Sequence, residues 1–431
     1  MTYAEAVARV LALRGGERAG MRPGLERIEE VLDAIGRPER AYVIAQVGGT
    51  NGKGSISSML AAILQASGRR VGLYTSPHLC HYRERIRVNG RPISEADFVD
   101  GVEAIGTLIA RLDLTVFEAG TALALDHFCR ARVDVAVLEV GLGGRLDATT
   151  VGEPRVEVLG PIDYDHQAEL GDTLTRIAGE KAAIIRSGVA FSARQEPEAE
   201  AVLRRRAAEV AVPLVMEGHD LHVVPRSFTL EAQRIDLAGP DWRLADVDCG
   251  LLGLYQPSNA LLAAAAGREL GAGEAAIRAG LRGARWPGRF QIVRRDPVVV
   301  LDGAHNPAGA RALAASLRAY FPGEPVTFVL GILADKDARS ILSPLVPLAA
   351  RVILTASTNP RAASPEALRA LLPAARFRVD IAPSPREALA MATAPTPRGI
   401  VCVAGSLSLI GDVLAIAGDG QDVLFPEEAR A

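Results

Sequence analysis

Residues Tyr42–Ser55 read YVIAQVGGTNGKGS, an apolar run that enters a glycine-rich turn carrying one lysine and one serine. The run Tyr42–Val47 has the length and β-branched content of a buried strand, and Gly54–Ser67 after it has a helical pattern. Strand, glycine loop and helix in that order is the setting a phosphate-binding loop requires. Glycines let successive backbone N–H groups point at one anion, and the following helix adds its positive end. In this reading Lys53 sits on the β- and γ-phosphates, Ser55 offers a hydroxyl to magnesium, and Thr50, Asn51, Gly52 and Gly54 complete the ATP cradle. Gly54 separates Lys53 from Ser55, a departure from the common G-x-x-x-x-G-K-[ST] spacing. The bland alternative is a glycine turn that merely caps a helix.

Outward from this loop, short Val/Ile/Leu runs alternate with longer Ala/Leu-rich segments of helical period, which predicts an α/β fold with a mainly parallel sheet. Expected strands are 42–47, 133–139, 298–301, 326–330, 352–355 and 400–404, and expected helices include 54–67, 117–131, 172–185, 307–320 and 385–392. The stretch Gly283–Phe290, with Pro287 and Gly288, interrupts the pattern before a strand at Gln291–Val293. The predicted organisation is a larger P-loop domain over 1–287 and a smaller C-terminal α/β domain over 288–431.

Apolar residues make up 49% of the 431-residue chain but aromatics only 4%, so the cores must be aliphatic. A formal net charge of −3 gives no broad cationic field for nucleic acid or a membrane surface. No apolar run is long enough to span a bilayer, and Met1–Leu13 lacks the core of a secretory signal. Cys80, Cys129, Cys249 and Cys402 show no Cys-x-x-Cys spacing and read as reduced thiols of a cytoplasmic protein.

Further motifs follow in one order along the chain. Tyr74-Thr75-Ser76-Pro77-His78-Leu79 precedes Phe117-Glu118-Ala119-Gly120-Thr121. The strand 133–139 delivers Glu139 to its carboxyl end, where ligands gather in open α/β sheets, ahead of Gly141-Leu142-Gly143-Gly144-Arg145-Leu146-Asp147-Ala148-Thr149. Asp165-His166, Gly179-Glu180-Lys181-Ala182, Gln256-Pro257-Ser258-Asn259-Ala260, Trp286-Pro287-Gly288-Arg289 and Asp302-Gly303-Ala304-His305-Asn306-Pro307 come after it. Taken singly, a strand-end glutamate is more often a solvated edge residue, Ser-Pro a turn, and Lys181 an ordinary helix-surface lysine. Magnesium prefers oxygen, so chemistry alone does not select His166 as its ligand.

Together these segments resemble the Mur-ligase superfamily and, within it, the bifunctional dihydrofolate synthase/folylpolyglutamate synthases. The resemblance implies metal roles for Ser55, Ser76, Glu139, His166 and Lys181 at two Mg²⁺ sites, with Lys181 carbamylated so that an ammonium becomes an oxygen ligand. It implies pterin-pocket roles for Phe117, Glu118, Thr121, Leu146, Asp147 and Ala148, nucleotide contacts for Asn259, Arg289 and Asp302, and catalytic roles for Lys53, Lys181 and His305. Leu159-Gly160-Pro161-Ile162 departs from the family pattern, as does Thr150. Gly331-Ile332-Leu333-Ala334-Asp335-Lys336-Asp337 resembles a further family turn.

The implied reaction joins L-glutamate to dihydropteroate and to reduced folates. ATP phosphorylates the carboxylate, because its oxygen is otherwise a poor leaving group, and the glutamate amine attacks the acyl phosphate. A monomer is expected. The rivals are a folylpolyglutamate synthase alone, a Mur ligase acting on a peptidoglycan precursor, and a nonenzymatic P-loop switch. The short stretch before Gly48 argues against the peptidoglycan ligase, and the Asp302–Pro307 motif against the switch.

Overall fold

The computed structural model describes residues 1–13, 24–373, 377–394 and 399–416. The chain divides into two compact units. The first contains Met1–Pro225, Ile235–Asp248 and Pro257–Ala284, and the second Arg226–Arg234, Cys249–Gln256 and Arg285–Ala431. Two short segments of the range expected for the first domain, 226–234 and 249–256, therefore cluster with the second unit.

An eight-stranded sheet organises the first unit. Its strands are β1 (Val43–Gly48), β2 (Val71–Tyr74), β3 (Ile86–Val88), β4 (Arg91–Pro92), β5 (Val135–Glu139), β6 (Pro154–Leu159), β7 (Val189–Ser192) and β8 (Leu214–Met216). They lie in the order β4-β3-β2-β5-β1-β6-β7-β8, parallel from β2 to β8, with β3 and β4 antiparallel at one edge. Three further strands, β9 (His222–Phe228), β10 (Gln233–Gly239) and β11 (Trp242–Cys249), form a separate sheet.

The second unit holds a six-stranded sheet of β12 (Gln291–Arg295), β13 (Val298–Asp302), β14 (Val326–Leu330), β15 (Ala349–Leu354), β16 (Arg378–Ile381) and β17 (Ile400–Ala404). Its order is β12-β13-β17-β14-β15-β16, and only β12 is antiparallel. Both large sheets thus have the mainly parallel α/β character that the alternating pattern predicts.

The expected helices form as Lys53–Ala66, Val116–Arg130, Leu174–Ala182, Pro307–Tyr320 and Pro385–Thr393. Leu174–Ala182 is shorter than its apolar pattern. Thr173 caps its start by accepting from the Arg176 amide at 3.3 Å. At its end the amides of Ile184 and Ile185 reach back only three residues, to Lys181 and Ala182 carbonyls. That tightening places Lys181 in the last turn. Helix Lys53–Ala66 buries Ile56, Met59, Leu60, Ile63 and Leu64 completely. Helix Glu274–Gly283 approaches it backbone to backbone at Gly280, where a Cβ would collide with the Ile63 main chain.

On β6, Glu157 is fully buried, and its Oε1 accepts from the amides of Arg186 at 3.1 Å and Ser187 at 2.9 Å. Its Oε2 has no hydrogen-bond partner. Burial therefore raises the carboxyl to about 7 from an ordinary 4.5, so the folded chain keeps a proton that the unfolded chain releases. Stability must then fall as pH rises through that interval. Glu157→Gln, which keeps the acceptor and cannot ionise, is expected to gain Tm over the parent at about pH 8 and to lose that advantage near pH 5. Parallel melting curves for parent and variant across the interval refute the assignment.

Candidate active site at the carboxyl ends of the first sheet

Register brings four strand ends together. Val47 pairs with Glu139 across β1 and β5, Gly48 with Leu159 across β1 and β6, and Tyr74 with Leu138 across β2 and β5. The loops that follow these ends carry the phosphate-loop, Ser76, Glu139 and Gly160 segments.

The phosphate loop is braced from the β6 side. Both the Thr50 and Asn51 amides donate to the Pro161 carbonyl, at 2.9 and 3.2 Å. Thr50 Oγ1 donates to the Asp163 carbonyl at 3.0 Å and accepts from the Asp163 amide at 3.1 Å. A Cβ on Gly160 would collide with the Asn51 carbonyl oxygen, and one on Gly49, whose φ is +124°, would meet the Gly160 main chain at 2.9 Å. The Gly160-Pro161 departure is thus the surface on which the loop rests. Gly52, at φ +85°, leaves room for the buried Asn259 side chain, whose Oδ1 a Cβ there would meet at 2.6 Å.

Lys53 opens helix Lys53–Ala66, and its ammonium donates to the carbonyls of Gly49 at 3.2 Å and Thr50 at 3.1 Å. Ser55 follows in the first turn and is buried. Lys181 is only 4% exposed, not a helix-surface side chain, and donates to the same Gly49 carbonyl at 3.1 Å. Burial first, and the Lys53 charge second, lower its ammonium to about 7, against the attraction of Asp165 and Asp147.

Glu139, 5% exposed, accepts from the Ser76 amide at 3.1 Å, so two of the expected metal ligands share one corner. His166 lies at the start of a short helix in a left-handed conformation, and its ring nitrogens are 3.9 Å from Asp165 and 4.0 Å from Glu169 carboxylates. Among the described residues no group of three or more His, Cys, Asp or Glu side chains forms a metal cage.

On the β2 side, Phe117 packs on Tyr74 with centroids 5.8 Å apart, and Thr121 Oγ1 donates to Tyr74 Oη at 3.4 Å. Gly141 lies against the Phe117 ring, 2.6 Å from where a Cβ would sit. Leu146 is half-buried and Ala148 buried in the adjoining loop. Glu118 is occupied structurally: it closes the cap of helix Val116–Arg130 with Thr115 and pairs with Arg27 at 2.7 Å. Asp147 accepts four bonds from its own loop, from the Gly141, Leu142 and Thr149 amides and the Thr149 hydroxyl.

The motifs did not single out His78 or Tyr82 as site residues. Arg85 Nε donates to His78 Nδ1 at 2.9 Å, and burial with that neighbouring charge depresses the imidazole to about 3, so it is neutral. The His78 and Tyr82 rings lie 5.6 Å apart. The only sequence signal was their proximity to Ser76.

The second unit gathers its own cluster. Asp302 Oδ2 accepts from Tyr255 Oη at 2.8 Å and the Phe290 amide at 2.9 Å, while Oδ1 accepts from the Ala304 amide at 2.8 Å. Arg289 Nη1 donates to the Gly303 carbonyl at 3.4 Å. His305 Nδ1 lies 2.7 Å from that same oxygen. A carbonyl can only accept, so Nδ1 carries the proton.

Family models match this architecture: the Mur ligase middle domain over residues 47–267 and the Mur ligase glutamate ligase domain over 288–407. The dihydrofolate synthase/folylpolyglutamate synthase of Mycobacterium tuberculosis is 38% identical, over 86% of this chain and 82% of its own. The chain belongs to the dihydrofolate synthase/folylpolyglutamate synthase family of Mur ligases. Among solved structures, M. tuberculosis folylpolyglutamate synthase complexed with ADP and AMPPCP superposes with a TM-score of 0.89 at 35% identity, covering 96% of this chain and 99% of that one. Escherichia coli FolC in complex with DHPP and ADP gives 0.89 at 32% identity, covering 98% and 99%. No helix among the described residues is long and apolar enough to cross a membrane.

For an ATP-dependent ligase of this family the brace at Gly160 has a measurable consequence. Gly160→Ala pushes a methyl group onto the Asn51 main chain, so stability is expected to drop by about 1–3 kcal/mol and the KM for ATP to rise about tenfold. Unchanged melting and ATP kinetics in this variant count against the brace.

Proposed function

We propose that the chain adds L-glutamate to dihydropteroate and to reduced folates, using ATP to form an acyl phosphate that the glutamate amine attacks with release of phosphate. The observation that carries this reading is the meeting of the Lys53 and Lys181 ammoniums on Gly49, within one set of strand ends that also holds the Glu139–Ser76 corner and the Phe117–Tyr74 ring pair. Lys53 and the Gly52–Ser55 turn hold the phosphates. Phe117, Thr121, Leu146 and Ala148 receive the pterin, while Glu118 and Asp147 fix the elements around it. Asn259, Arg289 and Asp302 serve the nucleotide, and His305 a catalytic role. The two domains are taken as 1–287 and 288–431.

Ser55, Ser76, Glu139, His166 and a carbamylated Lys181 would hold magnesium at two sites, the hydroxyl and carboxylate oxygens suiting a hard divalent cation. Magnesium bound there supplies charge neutralisation for the phosphoryl group. Lys181 as an ammonium does not suit such a site. Its lowered proton affinity makes the neutral amine available near pH 7, and that amine adds to carbon dioxide. The nitrogen lone pair forms the N–C bond, one C=O pair moves to oxygen, and the nitrogen loses a proton, which leaves a carbamate. Protein exposed to ¹³C-bicarbonate is expected to show a carbamate resonance that Lys181→Ala lacks, and short carboxylic acids are expected to restore part of that variant's lost activity. Full activity without bicarbonate, with a free amine at Lys181, overturns the modification.

A single phosphate loop and a single Glu139–Ser76 corner lead us to one centre for both additions. Product analysis with dihydropteroate and with tetrahydrofolate is expected to show both reactions in the parent and loss of both, by about 100-fold or more, in Glu139→Gln. Extension of tetrahydrofolate with dihydropteroate untouched makes the enzyme a polyglutamate synthase only.

A further inference from the structure

From the half-buried Arg186 runs a chain of polar side chains whose donors and acceptors leave one consistent direction. Arg186 Nη2 donates to Gln46 Oε1 at 2.9 Å. Gln46, fully buried on β1, donates through Nε2 to Thr149 Oγ1 at 3.1 Å and Thr150 Oγ1 at 2.9 Å. Each threonine passes its own proton onward, Thr149 to Asp147 Oδ1 at 2.5 Å and Thr150 to the Gly144 carbonyl at 2.7 Å. Asp147 in turn holds the Gly141 and Leu142 amides at 3.0 and 2.9 Å. A guanidinium with no acceptor atom thus sets the orientation of an amide, which sets two hydroxyls, which set the loop 141–150.

That loop touches both halves of the proposed site. Gly141 lies against Phe117, and Gly144 against the carbonyls of Glu180 and Lys181, with Cβ clearances of 2.6, 2.8 and 3.1 Å respectively. We propose that Gln46 and Arg186 are positioning residues that fix the loop 141–150 for the pterin-bearing substrate, without themselves touching it; this rests on the function proposed above.

The relay's direction makes an isosteric substitution decisive. Gln46→Glu keeps shape and volume and strengthens the link to Arg186, yet it presents an acceptor to two hydroxyls whose protons are already committed. A purely structural tie to Arg186 tolerates it; a directional relay does not. Gln46→Glu is expected to stay folded with Tm lowered by a few degrees, to raise the KM for dihydropteroate or tetrahydrofolate about tenfold, and to leave the KM for ATP within about twofold. Thr150→Val, which removes one relay hydroxyl at the loop itself, is expected to reproduce this signature should Gln46→Glu fail to fold. Hydrogen exchange gives a readout independent of substrate, with the Gly141 and Leu142 amides exchanging about tenfold faster in both variants. Parent-like KM values and exchange, or an ATP KM that rises as much as that of the pterin substrate, overturn the proposal. If the parent uses neither pterin substrate, the proposed function fails, while the exchange result still decides the relay.

Discussion

Two ammonium groups, those of Lys53 and Lys181, donate to one carbonyl oxygen, that of Gly49, at 3.2 and 3.1 Å. Like charges brought to one acceptor repel, and the Lys53 charge is, after burial, the second cause that lowers the Lys181 ammonium. The surrounding structure has to hold that repulsion. It does so through backbone: Gly49 at φ +124° packs on Gly160, and the next two amides are tied to Pro161. In the proposed function, relief would come in two chemical forms, anionic phosphate oxygens beside the cations and loss of a proton by Lys181. The second would supply the amine that carbon dioxide modifies, so one constraint underlies both parts of that proposal.

The topology decides which segments meet there. From β1 the chain goes to β2, on the far side of β5, and returns later to β6 on the opposite flank of β1. In open α/β sheets, ligands bind outside the carboxyl ends where the strand order reverses in this way. Paired loops meet on each side of β1: Asn51 against Gly160 on the β6 side, Ser76 against Glu139 on the β5 side. Several of these contacts use main-chain atoms, so the site depends on small residues at fixed points as much as on its charged ones.

This explains which parts of the molecule could be read from sequence. The apolar runs of β1, β5, β13, β14 and β17 announce themselves, because strands buried on both faces need unbroken Val/Ile/Leu stretches. The β9–β11 sheet does not. His222–Phe228 is mostly exposed and carries no apolar alternation, so nothing in it marks a strand. Lys181 illustrates the same limit at the site. Local sequence makes it a surface lysine, and its burial exists only because helix Leu174–Ala182 ends where the phosphate loop passes. Gly160-Pro161 departs from the family pattern in sequence, and in three dimensions Gly160 is the residue whose missing side chain leaves room for the Asn51 main chain. The clustering of 226–234 and 249–256 with the second unit likewise depends on long-range contacts that no local pattern encodes.

The second unit repeats the device of the first with different chemistry. Gly303, like Gly49, offers one carbonyl to two basic side chains, Arg289 at 3.4 Å and His305 at 2.7 Å. Here the second basic group is an imidazole, which donates through Nδ1 to the shared carbonyl whether or not the ring is charged. The Arg289 charge is balanced by Asp302, whose carboxylate it stabilises against the cost of burial. Asp302 spends its oxygens on Tyr255, Phe290 and Ala304, so its contribution is to hold Arg289 and the Gly303 turn in register. Replacing a second lysine with a histidine and adding a buried carboxylate removes the standing repulsion that the first unit must carry. A guanidinium cannot give up its proton, so this cluster keeps one permanent cation beside an imidazole.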